Sequence, residues 1–377
     1  MRTLALMMIF ALAGCATRSV VDSPDAGASQ SDGSDGPPTP FPLPPGTDVD
    51  ILFVVDNSND MAEQQVTLSK NFPNFIEALK TPKLAGRIPN LHIGIVSSDL
   101  GAGTYAVPSC EVTGGDRGEL QAQPRLPGCY PPAQPYIAYN EGVTNIHSPT
   151  TDPLQQVTEA FSCIAELGTG GCGFEHQIEA ARRALDPKLN INPGFMRAGA
   201  LLVVVFLTDE DDCSAAKPQL FDPNQWQLTD PLGPLSSFRC FEFGIQCDIN
   251  DRFKEGPRKS CKPAYDWLYK IQDYVTFFKG LKPPGQVLMS AIAGPAEPVE
   301  VKMAGQNPVL ISSCTGHNAS PAIRIKALLD SFGERGLFNR GLDATSSKEV
   351  SVDIGSHDYS PALRKLGRAI LEALGQT

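Results

Sequence analysis

Acidic and hydroxyl side chains follow the first apolar segment of the chain. Residues 50–55 are mainly apolar, and Asp56, Ser58 and Asp60 come directly after them. A continuous apolar run of this length is typical of a strand that is buried on both sides. Three oxygen-bearing side chains at alternate positions beyond such a strand are able to converge on one hard cation. The sequence therefore predicts half of a divalent-metal site here.

A second apolar segment ends in the same way. Residues 201–208 are strand-like, and the acidic run Asp209-Glu-Asp-Asp follows them. In open α/β sheets, ligands bind beyond the carboxyl ends of the strands. We therefore expect Asp209 to meet Asp56, Ser58 and Asp60 at one edge of a sheet. Carboxylate and hydroxyl oxygens suit Mg²⁺ or Ca²⁺.

The alternation of apolar segments predicts the elements that position these residues. Five core strands and six helices alternate along the body, which favours a doubly wound, mainly parallel α/β sheet with helices on both faces. Pro73 is expected to kink or break the first helix. Two Cys-rich segments, at about 100–150 and 213–262, are expected to be loop insertions. The strands are expected at 51–55, 91–97, 200–207, 286–293 and near 349–354, and the helices at 61–79, 154–167, 175–185, 263–281, 321–332 and 361–374.

The N-terminus predicts an exported, lipid-anchored protein. An apolar run of about ten residues is too short to span a bilayer and fits a secretory signal. It ends in Leu12-Ala13-Gly14-Cys15, which resembles the bacterial lipoprotein signal, so residues 1–15 are predicted to be a signal peptide with Cys15 as the lipidated residue. An ordinary signal peptide with a chance cysteine is the alternative. Residues 16–48 are rich in Ser, Asp, Gly, Pro and Ala and predict a flexible tether before a body at 49–377.

Charge and location limit the partners. The 377-residue chain has a formal net charge of −11, which argues against nucleic-acid binding and gives no electrostatic reason to lie on anionic lipid. We expect attachment to a bacterial membrane through the lipid anchor only, at the outer membrane or cell surface, with the body in the periplasm or outside.

Nine cysteines besides Cys15 agree with export, because disulfides persist in oxidising compartments. Sequence does not fix their connectivity. Because nine is odd, at least one thiol is expected to be free or to pair between molecules. The absence of a close CxxC pair argues against a structural zinc site. The simplest pairings join neighbours: Cys110 with Cys129, Cys163 with Cys172, and Cys240 with Cys247.

These segments resemble the von Willebrand factor A-like domain, a doubly wound, Rossmann-like fold with a metal-ion-dependent adhesion site. The family pattern is Asp-x-Ser-x-Ser after the first strand, a Thr in a later loop and an Asp after another strand. Asp56, Ser58 and the Thr208-Asp209 pair match it, whereas Asp60 replaces the second Ser. Glu175 stands at the usual Thr position, and Thr169, in the preceding glycine-rich segment, is the alternative.

The resemblance implies a metal site formed by Asp56, Ser58, Asp60, Glu175 and Asp209. Carboxylates in place of hydroxyls are expected to favour Ca²⁺ over Mg²⁺. They are also expected to weaken attraction for an acidic partner.

The wider sequence resembles Cys-rich bacterial lipoproteins that carry this domain. That similarity spans roughly residues 50–215 and includes His92-Ile-Gly-Ile-Val-Ser-Ser-Asp and Phe206-Leu-Thr-Asp-Glu-Asp-Asp-Cys. It implies binding of a protein or envelope component through or beside the metal site, without catalysis. A structural envelope component with a degenerate metal site is the alternative.

Two further functions fit the residues less well. A haloacid-dehalogenase-like phosphatase needs a general acid two residues after Asp56, where Ser58 stands. An EF-hand loop starting at Asp56 would have Met61 at its turn glycine and Thr67 at its closing glutamate. The five histidines stand in no recognisable catalytic motif. The sequence therefore favours a binding protein over an enzyme.

Overall fold

The computed structural model describes residues 43–110, 112–314, 318–339, 354–355 and 357–377. Chain contacts divide the protein into residues 1–41 and a body of residues 42–377. Cys15 and most of the predicted tether lie outside the described residues. Within the described ranges, no helix is both long and apolar enough to cross a membrane.

The body is built from short strands and helices that alternate along the chain. The strands are β1 Asp48–Val55, β2 Asn90–Ser97, β3 Ile137–Asn140, β4 Val143–Thr144, β5 Leu201–Leu207, β6 Ile245–Gln246, β7 Gly256–Arg258, β8 Lys262–Pro263, β9 Val287–Ile292, β10 Val299–Ala304, β11 Asn307–Leu310 and β12 Gly336–Asn339. The helices are α1 Ala62–Ala78, α2 Pro153–Ala165, α3 Gln177–Leu185, α4 Phe238–Gly244, α5 Ile271–Gly280, α6 Ile323–Asp330 and α7 Ser360–Ala373.

A seven-stranded sheet runs through the centre of the body, in the order β12-β9-β5-β1-β2-β3-β4. The first five strands in this order are parallel, and the β3–β4 hairpin adds two antiparallel strands at one edge. The chain moves from β1 to β2 on one side and later returns to place β5 on the other side. The strand order therefore reverses between β1 and β5, where open α/β sheets bind ligands.

Helices cover both faces of this sheet, as the sequence predicts. Alternate residues of β1 point in opposite directions: Phe53 packs with α1, α2 and α7, whereas Val54 packs with α3, α5 and α6. On the first face, the rings of Phe72 and Phe161 are stacked 3.6 Å apart, and Phe53 meets Phe161 edge-on at 5.0 Å. Burial of each such side chain stabilises the body by roughly 1.5–3 kcal/mol.

One secondary-structure prediction needs correction, the helix at 263–281, and two others are resolved only in part. Helix α1 continues through Pro73 without a break, because its face of Phe72, Phe75 and Ile76 is buried against the sheet. The helix predicted at 263–281 begins only at Ile271; the residues before it form β8 and a bridge between Leu268 and Ala215. The strand predicted near 349–354 falls almost wholly outside the described residues, and the described edge strand is β12.

All six predicted disulfide cysteines form disulfides, but the three neighbour pairings are wrong. The bonds join Cys110 to Cys172, Cys129 to Cys163, Cys213 to Cys240 and Cys247 to Cys261. Three of them connect segments that the fold brings together from 27 or more residues apart, which sequence proximity does not reveal. Cys314 is buried and lies outside these four bonds. Four disulfides fit an exported protein.

Candidate metal centre

The carboxyl ends of β1 and β5 bring the two predicted halves of the site together. Val55 and Leu207 are register partners in the sheet, so Asp56 and Thr208 leave it side by side. The Asp56 amide donates to the Leu207 carbonyl at 2.9 Å, and the Thr208 hydroxyl donates to Asp56 Oδ2 at 2.7 Å. The Asp56 carboxylate is fully buried at this strand edge.

Asp56 is held by donors from three segments. Its Oδ1 accepts from the Ser58 amide at 2.8 Å and from the Ser98 hydroxyl, just past β2, at 3.3 Å. Gln177 at the start of α3 donates to Thr208 Oγ1 at 2.8 Å and so fixes the hydroxyl that reaches Asp56. The carboxylate therefore has one defined orientation.

Four of the predicted ligands and one further acid form a single carboxyl cluster. The negative charges of Asp56, Asp60, Glu175, Asp209 and Glu210 act on one another throughout this group. The carboxyl groups of Asp60 and Asp209 lie within hydrogen-bonding reach, as do those of Glu175 and Glu210. Asp60 lies at the exposed rim, whereas Glu175 and Asp209 are buried. The structure thus places Glu175 beside Asp56 and Asp209.

The cluster strongly favours added positive charge. Burial raises the pKa of Asp56, and burial with the charges of Glu210, Asp56 and Asp209 raises the pKa of Glu175 well above its usual range. Burial, followed by repulsion from Asp56 and Asp60, raises the pKa of Asp209 to about 10, and burial raises that of Glu210 to about 7. Without a cation, protons must therefore replace part of the missing charge.

Within the described ranges, no ion pair compensates any of these five acids. Three buried oxygens at the site, Ser58 Oγ, Glu175 Oε2 and Asp209 Oδ1, also have no hydrogen-bond partner in the part of the chain that the structure describes. Buried oxygens of this kind are costly unless a donor or a cation satisfies them. These oxygens are of the type that a hard divalent cation binds.

The side chains do not enclose a common point. Among the described residues, no group of three or more His, Cys, Asp or Glu side chains has an arrangement suited to hold a metal ion. The carboxyl groups are close in two pairs instead, Asp60 with Asp209 and Glu175 with Glu210. The chemistry of the donor set and its unsatisfied oxygens nevertheless fit a hard cation.

A glycine-rich segment carries Glu175 to the cluster. The Gly171 amide donates to the Asn57 carbonyl at 2.8 Å, and a Cβ atom at position 171 would lie only 2.2 Å from Asn57 Oδ1. The neighbouring Cys172 is tied to Cys110. Gln65 in α1 joins the same segment to the first strand, because its side chain donates to the Asp56 carbonyl at 2.8 Å and accepts from the Gly168 amide at 3.0 Å. The alternative candidate Thr169 lies in this segment.

The rest of the acidic run has structural roles. Asp211 accepts from the Arg324 and Ile325 amides at the start of α6. Asp212 accepts from the Ile178 amide at the start of α3, and Arg324 Nε lies 3.1 Å from it in a fully buried ion pair. Both carboxylates are therefore engaged by helix N-termini and by Arg324.

Sequence reasoning missed Glu210, Ser98 and Gln177. Glu210 belongs to the acidic run that follows β5, so composition marks the run without distinguishing which acids face the cluster. Ser98 directly follows β2 and therefore lies at the same edge as Asp56 and Thr208. Gln177 carries no sequence signal, because its role depends on where α3 begins.

Comparisons with known proteins add little to this geometry. No family model matches the chain, and no curated protein matches it. Among solved structures, the chain is similar to the pilus adhesin SpaC from Lactobacillus rhamnosus GG in its open conformation, with 12% sequence identity and a TM-score of 0.37. The match covers 88% of this chain and 30% of the adhesin chain. A similarity at this level carries no argument about function.

Proposed function

We propose that this chain is a lipid-anchored envelope lipoprotein whose von Willebrand factor A-like body binds a protein or envelope partner through or beside a divalent-cation site. The main support is the group of unsatisfied buried oxygens within a carboxyl cluster at the β1–β5 strand reversal. That edge is where open α/β sheets bind ligands. The role is binding, without catalysis.

Each residue has a defined part in this proposal. Asp56, Glu175 and Asp209 would bind the cation, with Ser58 and Asp60 as further oxygen donors. Thr208 and Ser98 orient Asp56 through their hydroxyls. When bound, the cation supplies the positive charge that the described residues around the cluster do not provide. An oxygen from a partner would enter where the protein ligands leave coordination incomplete.

The donor set favours Ca²⁺. Ca²⁺ accepts six to eight oxygens in flexible geometry, whereas Mg²⁺ demands near-ideal octahedral geometry and retains several waters. Five acids from three segments of the chain meet the first requirement better than the second. Ca²⁺ affinity is therefore expected to exceed Mg²⁺ affinity.

Calorimetric titration of the full chain with Ca²⁺ tests the cation site. We expect Asp56→Asn to weaken binding by at least about tenfold, because it keeps the side-chain shape but removes the central charge. The exposed Asp266→Asn is the matched control and should leave affinity unchanged. Equal affinity in both variants would mean that the site is misassigned.

A structural role is the second candidate, because the site is deeply buried and rich in carboxylates. Chelation separates the two roles. Removal of a cation present at about 100 times its Kd lowers the unfolding free energy by about 2.7 kcal/mol, or roughly 5 °C in Tm for a chain of this size. If the site binds a partner, EDTA should also abolish binding to isolated cell envelopes. The Cys15→Ser variant is used for this measurement because it cannot be lipidated. A lower Tm with unchanged envelope binding would favour the structural role.

A further inference from the structure

A cavity of about 350 Å³ lies directly beside the carboxyl cluster. Its lining includes Glu210 on the cluster side, Ser236, Ser237, Phe238 and Phe241 from the second Cys-rich insertion, and Leu310 at the end of β11. The Glu210 carboxyl meets the Ser237 hydroxyl, so the cavity is continuous with the candidate metal centre. The insertion therefore forms a wall of the site.

The wall formed by α4 is firmly held. Arg239 is buried, and its guanidinium donates to the carbonyls of Leu220 at 2.8 Å, Gly233 at 2.8 Å and Pro234 at 3.0 Å. The next residue, Cys240, is bonded to Cys213, directly after the acidic run. Phe238 and Phe241 thus present a fixed aromatic pair, with ring centroids 5.6 Å apart.

The polar part of the cavity is acidic and incompletely satisfied. Ser236 Oγ is buried without a hydrogen-bond partner among the described residues. Glu210 has no ion-pair partner there, whereas Asp211 and Asp212 are engaged by α6 and Arg324. Among the described residues, no lysine or arginine lines the cavity. A cationic group would therefore supply the positive charge that this lining lacks.

We propose that the cavity binds an arginine or lysine side chain of a partner polypeptide, seated next to the metal centre. This inference rests on the proposed partner-binding function and names the chemistry of the partner. The alkyl stem would pack along Leu310 and the rings of Phe238 and Phe241, whose faces attract cations. The charged end would meet Glu210 and the Ser236 hydroxyl. The cluster of five acidic side chains disfavours an acidic partner.

Capped single residues test the charge preference. N-acetyl-arginine amide, its neutral isostere N-acetyl-citrulline amide, and N-acetyl-glutamate amide are titrated into the Ca²⁺-loaded full chain and followed by NMR. The arginine probe is expected to bind about tenfold more tightly than the citrulline probe, because its contact with Glu210 is charge-assisted. Equal binding of both probes, or tighter binding of the glutamate probe, would overturn the proposal.

Two cavity variants locate the binding, and Phe241→Ala also separates it from the metal function. Glu210→Gln should reduce arginine affinity to the citrulline level, and Phe241→Ala should weaken it as well. Phe253→Ala is the matched control, since Phe253 is exposed in the same insertion and does not line the cavity. A preference for arginine that survives both cavity substitutions would place the probe elsewhere and overturn the assignment.

A parallel Ca²⁺ titration distinguishes failure of the cavity assignment from failure of the proposed metal site. If Ca²⁺ binds but arginine shows no preference over citrulline, the cavity assignment is wrong and the metal site stands. If Ca²⁺ does not bind while arginine binds in a Glu210-dependent way, the metal function is wrong and the cavity assignment stands. Circular dichroism of each variant identifies any that fail to fold, and Glu210→Gln, which is nearly isosteric, then decides the question.

Discussion

Glu210 belongs to the candidate metal centre and also lines the cavity, and this distinguishes it from the other acids of the cluster. Its carboxyl lies within hydrogen-bonding reach of Glu175 in the candidate metal centre and of Ser237 at the wall of the cavity. A single side chain would thus connect the proposed cation site with the cavity proposed to bind a partner. Its substitution is expected to affect both, whereas substitution of Phe241 affects only the cavity.

His92 provides a residue-scale prediction about pH, away from the metal centre. Its Nδ1 lies 2.8 Å from the Phe195 carbonyl, so the neutral ring donates there. Burial lowers the pKa of His92 and the Arg197 charge lowers it further, whereas the Phe195 carbonyl and the charges of Asp50 and Asp48 oppose this. Below the unfolded value of about 6.5, the unfolded chain takes up a proton that the folded chain resists. The contribution to stability is therefore full above this pH and is lost as pH falls through it.

Urea unfolding at several pH values between about 5 and 8 checks this sign. His92→Gln keeps an amide donor for Phe195 but does not titrate, so its stability should fall less than that of the unmodified chain as pH is lowered. The exposed His147→Gln is the control and should follow the unmodified chain. Parallel curves for all three proteins would contradict the assignment of a neutral, partly buried His92.

The acids of the cluster were predictable from sequence to different degrees. Asp56 and Asp209 follow uninterrupted apolar runs, so the strand ends that position them are visible in the sequence. Glu210 was not distinguished from its acidic neighbours, because its direction depends on a local turn. The Glu210 amide donates to Thr208 Oγ1 at 3.2 Å, and this short-range bond turns the chain at Glu210.

At the scale of elements, the segment at 168–175 is positioned by its close contact with the loop after β1. Gly171→Ala would place a methyl group against Asn57 in this tightly packed region. We expect a loss of about 1–3 kcal/mol in unfolding free energy, typical of overpacking, together with weaker Ca²⁺ binding because Glu175 follows in the same segment.

Gly170→Ala is the matched control, since nothing lies within 4 Å of a Cβ atom there. Denaturant unfolding and calorimetric titration of both variants check the prediction. If Gly171→Ala is as stable as Gly170→Ala and binds Ca²⁺ equally well, this contact does not position Glu175.

Element-scale predictions succeeded where burial alone sets the structure. Strands β1, β2, β5 and β9 are mainly apolar, and their bounds agree with those predicted from the sequence to within about three residues. The start of α5 and the disulfide pairing were wrong, because both depend on contacts distant in sequence. Cys163, for example, lies on α2 and bonds to Cys129 rather than to the nearer Cys172.

At the scale of the whole molecule, the buried acids at the two ends of β1 have different surroundings. Near its start, Asp50 is paired with Arg197, whose Nε lies 2.7 Å away, and with Lys282 at 3.8 Å. At its end, Asp56 lies among four further acids and has no such partner among the described residues. The same strand thus provides an internal comparison. The fold supplies basic residues where a buried acid is structural, and omits them at the site proposed to bind a cation.

Attachment to a membrane is a whole-molecule prediction, based on the sequence around Cys15. Cys15→Ser removes the thiol that would carry the lipid, so the chain should move from the membrane fraction to the soluble fraction. Fractionation followed by immunoblotting measures the distribution, with the unmodified chain as reference. Retention of Cys15→Ser in the membrane fraction would contradict lipid anchoring at this residue.

The bond between Cys110 and Cys172 has a consequence for the order of maturation. It restrains the segment that delivers Glu175, and it forms only where thiols are oxidised. A newly made, reduced chain therefore lacks one of the restraints on a proposed ligand. Oxidation of this pair is therefore expected to precede full-strength cation binding at the proposed site.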